Sequence, residues 1–524
     1  MRRSGFRAAA LVLLAVLLAT NFYRAATQSL VHDEALTWQY YLAGPASNIF
    51  QHYDANNHFL ATLLFRISTA LFGESEFAMR LPTVLAGAWF YWTVFRLCAL
   101  FLGDGWLFLL GCAALTLNPL LLDFMVAARG YGLAMAGLFW ALYQMLCWFQ
   151  DGSNPVAGPV LRKRLWKAAL GCSIAVASNL TFVIPVFILA AAFCVLIVRL
   201  SAERASASGT ASLPASKSHK KDRKSKPEPK REPARPYAPL VHFIVPVILL
   251  ALAFLLAAPI DLARSEDLYA GLPTAMTSLR DLVNSSFAYG NSSGVLNKIE
   301  RIWSNFALIF LPAFALAALA VAIRTSLSIT RKSRSIVELA TLLTSLAVVG
   351  SAILLIALHL VSGILYPQDR TGIYFVPLAS LAALGLARIL SERPGFQHWM
   401  GIGVALVLLS VAAEFAAQWN VNSFLVWRYD ADAKQIFSRM EAAPKPPGPV
   451  RLGVSWVLEP ALNYYRQVRR ASWMTPVLRD GFEGARQFYV AVPWEQRAAP
   501  WPNLKLIYKG PVSSTALAVP QANQ

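Results

Sequence analysis

Apolar residues in this chain come in long blocks, separated by short polar stretches. A hydrocarbon core about 30 Å thick needs about 20 apolar residues per helix. By that measure the chain carries spans near 6–23, 78–102, 106–125, 131–149, 166–182, 183–199, 238–258, 303–323, 336–360, 373–390 and 399–417, eleven in all. The weakest division is within 166–199, where only Asn179, Thr181 and Pro185 interrupt one apolar run.

Two shorter elements lie between the first and second spans. Residues 34–42 carry Leu36, Trp38, Tyr40, Tyr41 and Leu42, a composition suited to a helix lying in the headgroup region. Residues 58–72 form an apolar helix interrupted by Arg66. It rises about 22 Å, too short to span easily. After residue 421 the pattern shortens: Asp432–Met440 predicts a helix, Arg451–Trp456 a strand and Glu459–Arg470 an amphipathic helix, with strands near 487–493 and 504–508. The expected fold is therefore a polytopic α-helical membrane protein with interfacial helices in its first external loop and a small extracytoplasmic α/β C-terminal domain. Its parts are a transmembrane module over 1–200 that includes the loop 24–77, a linker over 201–237, a second module over 238–420 and the polar domain over 421–524.

Composition agrees with a bilayer as solvent: 56% of the 524 residues are hydrophobic, 14% are charged and the mean hydropathy is +0.48. The net charge of +19 would suit nucleic acid if it were clustered on a soluble surface. Instead it lies between apolar runs, where it orients helices, and no nucleic-acid partner is expected. With a cytoplasmic N-terminus, segments 1–7, 150–167, 199–240, 324–334 and 388–398 hold 24 of the 47 basic residues. Odd parity then places the tail outside, in a multi-pass protein of the inner (plasma) membrane. Arg2, Arg3 and Arg7 before an apolar stretch, with Ala25-Ala26 after it, also fit a cleavable signal peptide; the polar loop that follows suits a tethered one better. The linker is Ser/Ala-rich, then Lys/Pro/Glu-rich, and too poor in apolar residues to fold. Its cluster of Lys220, Lys221, Arg223, Lys224 and Lys226 is either a solvated tether or a contact for anionic membrane lipids. All five cysteines fall in apolar runs, with no spacing that fits zinc or a redox pair.

Candidate chemistry gathers in the first loop. It begins Val31-His32-Asp33-Glu34-Ala35-Leu36-Thr37 and continues through Asp54-Ala55-Asn56-Asn57-His58-Phe59-Leu60, with three of the seven histidines (His32, His52 and His58). Asp33 has a plain structural reading, as N-cap of the following helix with Glu34 complementing its dipole. Arg129 and Tyr131 lie in Ala-Ala-Arg-Gly-Tyr-Gly at one outer turn, and Arg370 lies in the outer loop 365–372. Outer-face arginines run against the charge bias. They either snorkel and pair with acids such as Asp123 and Asp369, or bind phosphate, which a planar guanidinium fork suits.

Taken in order, His32-Asp33-Glu34, Asn56-Asn57-His58-Phe59-Leu60, Glu76-Phe-Ala-Met-Arg-Leu-Pro82, Ala128-Arg-Gly-Tyr131 and Tyr366-Pro-Gln-Asp-Arg370, with a polar domain last, resemble the GT-C superfamily. The likeness is to bacterial relatives of protein O-mannosyltransferases and of the lipid A aminoarabinose transferase, and it covers about residues 5–420. It implies an inverting glycosyltransferase that takes a sugar from a polyprenyl-phosphate donor to a hydroxyl acceptor. On that resemblance Asp33, with Glu34, is the catalytic pair, and Arg129, Tyr131 and Arg370 are donor-phosphate ligands. His58, Asn57 and His32 are candidates for contacts to substrate or to a divalent metal. The family's His-Pro-Pro or His-Pro-Leu is here His58-Phe59-Leu60, without the proline. Mannose, glucose, arabinose and aminoarabinose remain open as donor sugars, and protein, lipid and surface glycan as acceptors. Two other classes fit parts of the pattern, a flippase of lipid-linked sugar and a non-catalytic envelope-assembly subunit. Spans nearly free of acids and charges gathered at one face count against a transporter.

Overall fold

The computed structural model describes residues 3–51, 53–151, 158–210, 238–260, 271–287, 295–328, 335–392, 395, 397–445 and 447–521. His52 and residues 211–237 of the expected linker lie outside these. Helix α1 (Arg3–Thr27) leads into the first loop, which folds as α2 (His32–Thr37), a π-helical turn over Trp38–Leu42 and α3 (Phe59–Phe72). Arg66, the charge inside α3, donates to the carbonyls of Tyr41, Leu42 and Gly44 at 2.8, 3.2 and 2.8 Å. It thereby satisfies backbone acceptors left open at the end of the π turn.

Helix α4 (Glu76–Phe101) starts at Ser75, whose hydroxyl accepts from the Ala78 N–H at 3.1 Å. The predicted span 106–125 divides into α5 (Trp106–Thr116) and α6 (Pro119–Phe124). The break is local: the Asn118 side chain accepts from the Leu121 N–H at 3.0 Å, and Pro119, which has no N–H to give, takes the first helical position. Helix α7 (Tyr131–Asp151) is followed by α8 (Gly158–Ser178); Asn179 then accepts from the Thr181 N–H at 3.0 Å before α9 (Val183–Thr210). Residues 201–210, assigned from composition to the linker, thus continue α9. Helices α10 (Ala238–Ala257), α11 (Ala275–Phe287), α12 (Val295–Ser328), α13 (Ile336–Ser362), α14 (Phe375–Ser391) and α15 (Gln397–Gln418) complete the apolar part.

Among the described residues, eight helical stretches are long and apolar enough to cross a bilayer, as a multi-pass membrane protein requires. The other three of the eleven expected spans fall short for visible reasons. One is the broken α5–α6. The second is α8, with Arg162, Lys163, Arg164 and Lys167 in its first half. The third is α15, whose apolar stretch is only Ile402–Gln418. Helix α7 is the centre of the bundle, with 89% of its apolar window buried against 11% for α10, which faces outward. It crosses α8 at Gly137 and Gly171, where a Cβ on Gly137 would stand 2.8 Å from the Gly171 carbonyl oxygen.

The chain ends in α16 (Ala433–Ala442), α17 (Glu459–Val468) and four strands, β1 (Leu452–Val454), β2 (Phe488–Ala491), β3 (Leu504–Lys509) and β4 (Ala516–Pro520), in sheet order β1-β2-β4-β3. β1 and β2 are parallel and joined through α17; the other pairings are antiparallel. This unit shares one apolar core with the first loop: Leu30, Trp38, Tyr41 and Phe65 pack with Ile436, Phe437, Val457 and Leu462. Polar seams reinforce it, with the Tyr465 hydroxyl accepting from the Leu30 N–H at 2.9 Å and the Tyr464 hydroxyl donating to the Glu74 carbonyl at 2.9 Å.

Candidate active site

Helix α2 begins two residues earlier than its sequence signals. Val31 is the N-cap residue, and the Glu34 carboxylate, not that of Asp33, reaches back to accept its N–H at 3.2 Å. The reading of Asp33 as N-cap is therefore corrected. With the helix start satisfied by Glu34, the Asp33 side chain turns to a cleft between the first loop, the turn before α7 and the turn before α14.

There its Oδ2 accepts from Arg370 at 2.8 Å and stands 3.6 Å from the nearest nitrogen of Arg129. The Trp427 side chain favours the charged form of this carboxylate. Burial opposes ionisation of Asp33. The Arg370 and Arg129 guanidinium groups, then His32 and Trp427, outweigh it and hold the carboxyl below its ordinary range. Arg129 is fixed by the Asn56 side chain at 2.8 Å and the Ala55 carbonyl at 2.9 Å, and Arg370 lies face-on to the Trp427 ring at 5.2 Å. Neither arginine pairs chiefly with the acid proposed from sequence. Asp123 instead holds Arg24, at 2.5 Å, and Asp369 is 3.7 Å from Arg370, farther than Asp33.

Three of the candidates, Glu34, His32 and Asn57, are engaged away from Asp33's partners. Glu34 is fully buried, with both oxygens on Arg80 at 2.9 and 2.5 Å and one also accepting the Ala128 N–H at 2.6 Å. Its lone pairs are occupied, so it shapes the loop and has no open face for a reacting group. His32 points to the C-terminal unit, with Nδ1 2.6 Å from the Val457 carbonyl and its ring edge-on to Trp456 at 5.7 Å. Burial lowers its pKa. Asn57 is buried and donates to the Ile49 carbonyl at 3.0 Å, bracing the loop from within.

His58 and Tyr131 do reach the cleft, their rings edge-on at 5.3 Å. Burial and the two guanidinium groups push the pKa of His58 well below its ordinary value, so the ring is neutral near pH 7. Its Nε2 is buried with no hydrogen-bond partner among the described residues. The pair meets because Gly130 lets the turn approach closely: a Cβ there would overlap the Ser178 carbonyl and stand 2.8 Å from the His58 Cβ. Among the described residues no three His, Cys, Asp or Glu side chains gather as metal ligands. An apolar cavity of about 300 Å³ lies between α11, α12, α13 and α14. Tyr366 and Pro367 line it, and Asp281 of α11 accepts the Asp369 N–H at 2.5 Å, anchoring the turn that carries Arg370.

Arg80, Trp427 and Asp430 were not singled out from sequence. Arg80 lay inside the quoted motif Glu76–Pro82, and its place within an apolar helix was the available signal. Trp427 and Asp430 had none, since both follow the last span in an unpatterned stretch.

No family model matches the chain, and no curated protein does. Among solved structures it is similar to ArnT from Cupriavidus metallidurans bound to undecaprenyl phosphate, at 14% identity and a TM-score of 0.45, with 98% of each chain covered. The apo form of that protein gives 12% identity and a TM-score of 0.46, covering 97% of each chain. The oligosaccharyltransferase AglB from Archaeoglobus fulgidus, in complex with an inhibitory peptide and a dolichol-phosphate, gives 12% identity and a TM-score of 0.43 over 98% of this chain and 74% of that one. ArnT and AglB both belong to the GT-C superfamily. Likeness at this level carries no information on substrate or reaction.

Proposed function

We propose that the chain is an inverting membrane glycosyltransferase that moves a sugar from a polyprenyl-phosphate donor to a hydroxyl acceptor at the outer face of the membrane. The observation that carries this reading is one carboxylate, Asp33, faced by Arg370 and Arg129, with Arg370 three residues beyond Pro367 of an apolar cavity's lining. A lipid phosphate has matching parts: its prenyl chain suits the cavity between α11 and α14, and its charge suits the guanidinium pair. Asp33 takes the acceptor hydroxyl proton as that oxygen bonds to the anomeric carbon, while the carbon–oxygen bond to phosphate breaks and the electron pair leaves with lipid phosphate. A general base of this kind contributes typically about 10²–10⁴-fold. Arg370 and Arg129 neutralise the leaving phosphate, with Tyr131 beside Arg370.

The resting ion pair fits this sequence of events. A donor phosphate competes with Asp33 for Arg370, and an Asp33 that loses its strongest partner becomes a stronger base. His58, neutral and with Nε2 unengaged, offers one further contact to donor or acceptor. The C-terminal unit shares a core with the first loop that carries Asp33, which supports a part for it in acceptor binding. No divalent metal is required by this scheme.

The test is release of polyprenyl phosphate by the purified full chain. The donors are polyprenyl-phosphate mannose, glucose, arabinose and aminoarabinose, each with cell-envelope extract as acceptor. Release that disappears in Asp33→Asn while membrane insertion persists is the expected result. Release unaffected by Asp33→Asn, or none from any of the donors, overturns the reading.

A further inference from the structure

The far end of α7 carries a second pocket, of about 410 Å³, between its last turns and the starts of α8 and α10. Along α7, Trp148 of this pocket is about 25 Å from Tyr131 of the cleft. The two sites therefore lie at opposite ends of the bundle. Gly158 and Pro159 of α8 and Ala238 and Pro239 of α10 line the pocket, so both helices begin on it. The prolines have no N–H, but the residues after them complete first turns whose N–H groups lack intrahelical acceptors. Two such turns on one pocket favour an anion. Trp148 gives an independent sign of a ligand. It is 1% exposed, and its Nε1 has no hydrogen-bond partner among the described residues. Its ring is edge-on to Phe149 at 5.2 Å and to Phe193 at 5.7 Å, so packing fixes the indole plane. An indole N–H only donates, and a donor buried without an acceptor is costly.

Charge around the pocket is unbalanced in the same direction. Arg164 is engaged by Asp151 at 3.0 Å and by Gln144 at 3.0 Å, which occupies the neighbouring carboxylate. Arg162 lines the pocket and forms no ion pair among the described residues, and His242 lines it from α10. The rest of the lining is largely apolar, Leu161 and Leu165 included. From the pocket, Val241, Val245, Ile248 and Leu252 run along α10 as an exposed stripe at helical spacing. A free phosphate has no contact to make with that stripe, whereas an acyl chain does.

We propose that this pocket binds the phosphate of an anionic phospholipid, held by Arg162, the Trp148 N–H and the first turns of α8 and α10, with an acyl chain along α10. The guanidinium fork suits a phosphate oxygen pair, and the absence of a free carboxylate among the described lining residues suits a net negative headgroup. The site is independent of the glycosyltransferase reading, because no residue of the cleft takes part. Its consequence is structural: α10 is the least buried of the candidate spans, and a lipid seated against both α8 and α10 fastens it to the bundle.

The experiment uses the full chain reconstituted into phosphatidylcholine vesicles that carry a trace of phosphatidylglycerol with a diazirine on its acyl chain. After illumination, peptide mass spectrometry locates the label. The expected result is labelling of the α10 stripe between Val241 and Leu252, about tenfold above that from a phosphatidylcholine probe with the same chain. Arg162→Gln should lower it about tenfold. Lys163→Gln removes the same charge from the same helix at an exposed residue outside the lining, and should leave it unchanged. Trp148→Phe, which keeps a ring and loses the N–H, should lower it about threefold. Inorganic phosphate at the concentration of the probe should have no effect; loss of the label would make free phosphate the occupant and overturn the lipid. Equal labelling by the phosphatidylcholine probe, or an equal fall in Lys163→Gln and Arg162→Gln, overturns the anion site. Arg162 is exposed, so its replacement decides the matter even if Trp148→Phe misfolds.

Discussion

Asp33 and Glu34 are neighbours in sequence and opposites in circumstance. Asp33 is held ionised by two guanidinium groups, so its transfer activity should fall only below the ordinary carboxylate range of about 4. The sign follows from the depressed pKa: the ion pairs contribute stability above the unfolded value, and that contribution is lost as pH falls through the lowered folded value. In Arg370→Ala the acid limb of the pH–rate profile should move to higher pH, with weaker donor binding. A limb that does not move would mean Asp33 is not the titrating base. Glu34 carries the opposite expectation. It is bound on both oxygens to a fully buried Arg80. Glu34→Ala should therefore cost about 3–5 kcal/mol of stability by leaving that charge uncompensated, seen as a large drop in thermal unfolding temperature in detergent. Loss of activity at unchanged Tm would instead restore it to a catalytic role.

At the scale of elements, the cleft is made by turns that long helices hold in place. The turn Ala128–Tyr131 is shaped by Glu34, which accepts the Ala128 N–H, and by Gly130, which is pressed against the Ser178 carbonyl and His58. Gly130→Ala should push this turn outward, destabilising the chain by about 1–3 kcal/mol. It should reduce donor binding more than Ser75→Ala, a cap change of about 1 kcal/mol away from the cleft. Equal effects in a donor-binding titration would mean the turn has no special bearing on the donor. The short helices of the first loop were legible in the sequence because their aromatic and apolar composition is local. The break at Asn118-Pro119 was equally local and could have been read, since a cap residue followed by proline is a helix start. The pairing of Arg66 with the π turn could not, because three carbonyls become acceptors only after the turn has formed.

For the molecule as a whole, the open matter of sidedness reduces to parity. Eight crossings would return the C-terminal unit to the side of the N-terminus, whereas crossing by α5–α6, α8 and α15 as well makes the number odd. The asymmetry of Lys and Arg favours the odd number and an external tail. Lys505→Cys, on exposed β3, should therefore react with a membrane-impermeant maleimide added to intact spheroplasts. The native cysteines give little background, since four are buried and Cys194 is partly so. Labelling only after permeabilisation would place the tail, and with it the cleft, on the inner side and refute the outward-facing scheme.

The sequence by itself determined that this chain lives in a bilayer, where its polar loop and tail begin, and which carboxylate merits attention. Those properties follow from apolar length and local composition, which each segment carries alone. Only the tertiary structure decided that Asp33 meets Arg370, 337 residues away, that Glu34 belongs to Arg80, and that the tail roofs the first loop. Ion pairs and shared cores depend on which distant segments are brought within a few ångströms. Charge and hydrophobicity say that a buried arginine needs a partner, and packing alone selects which acid that is.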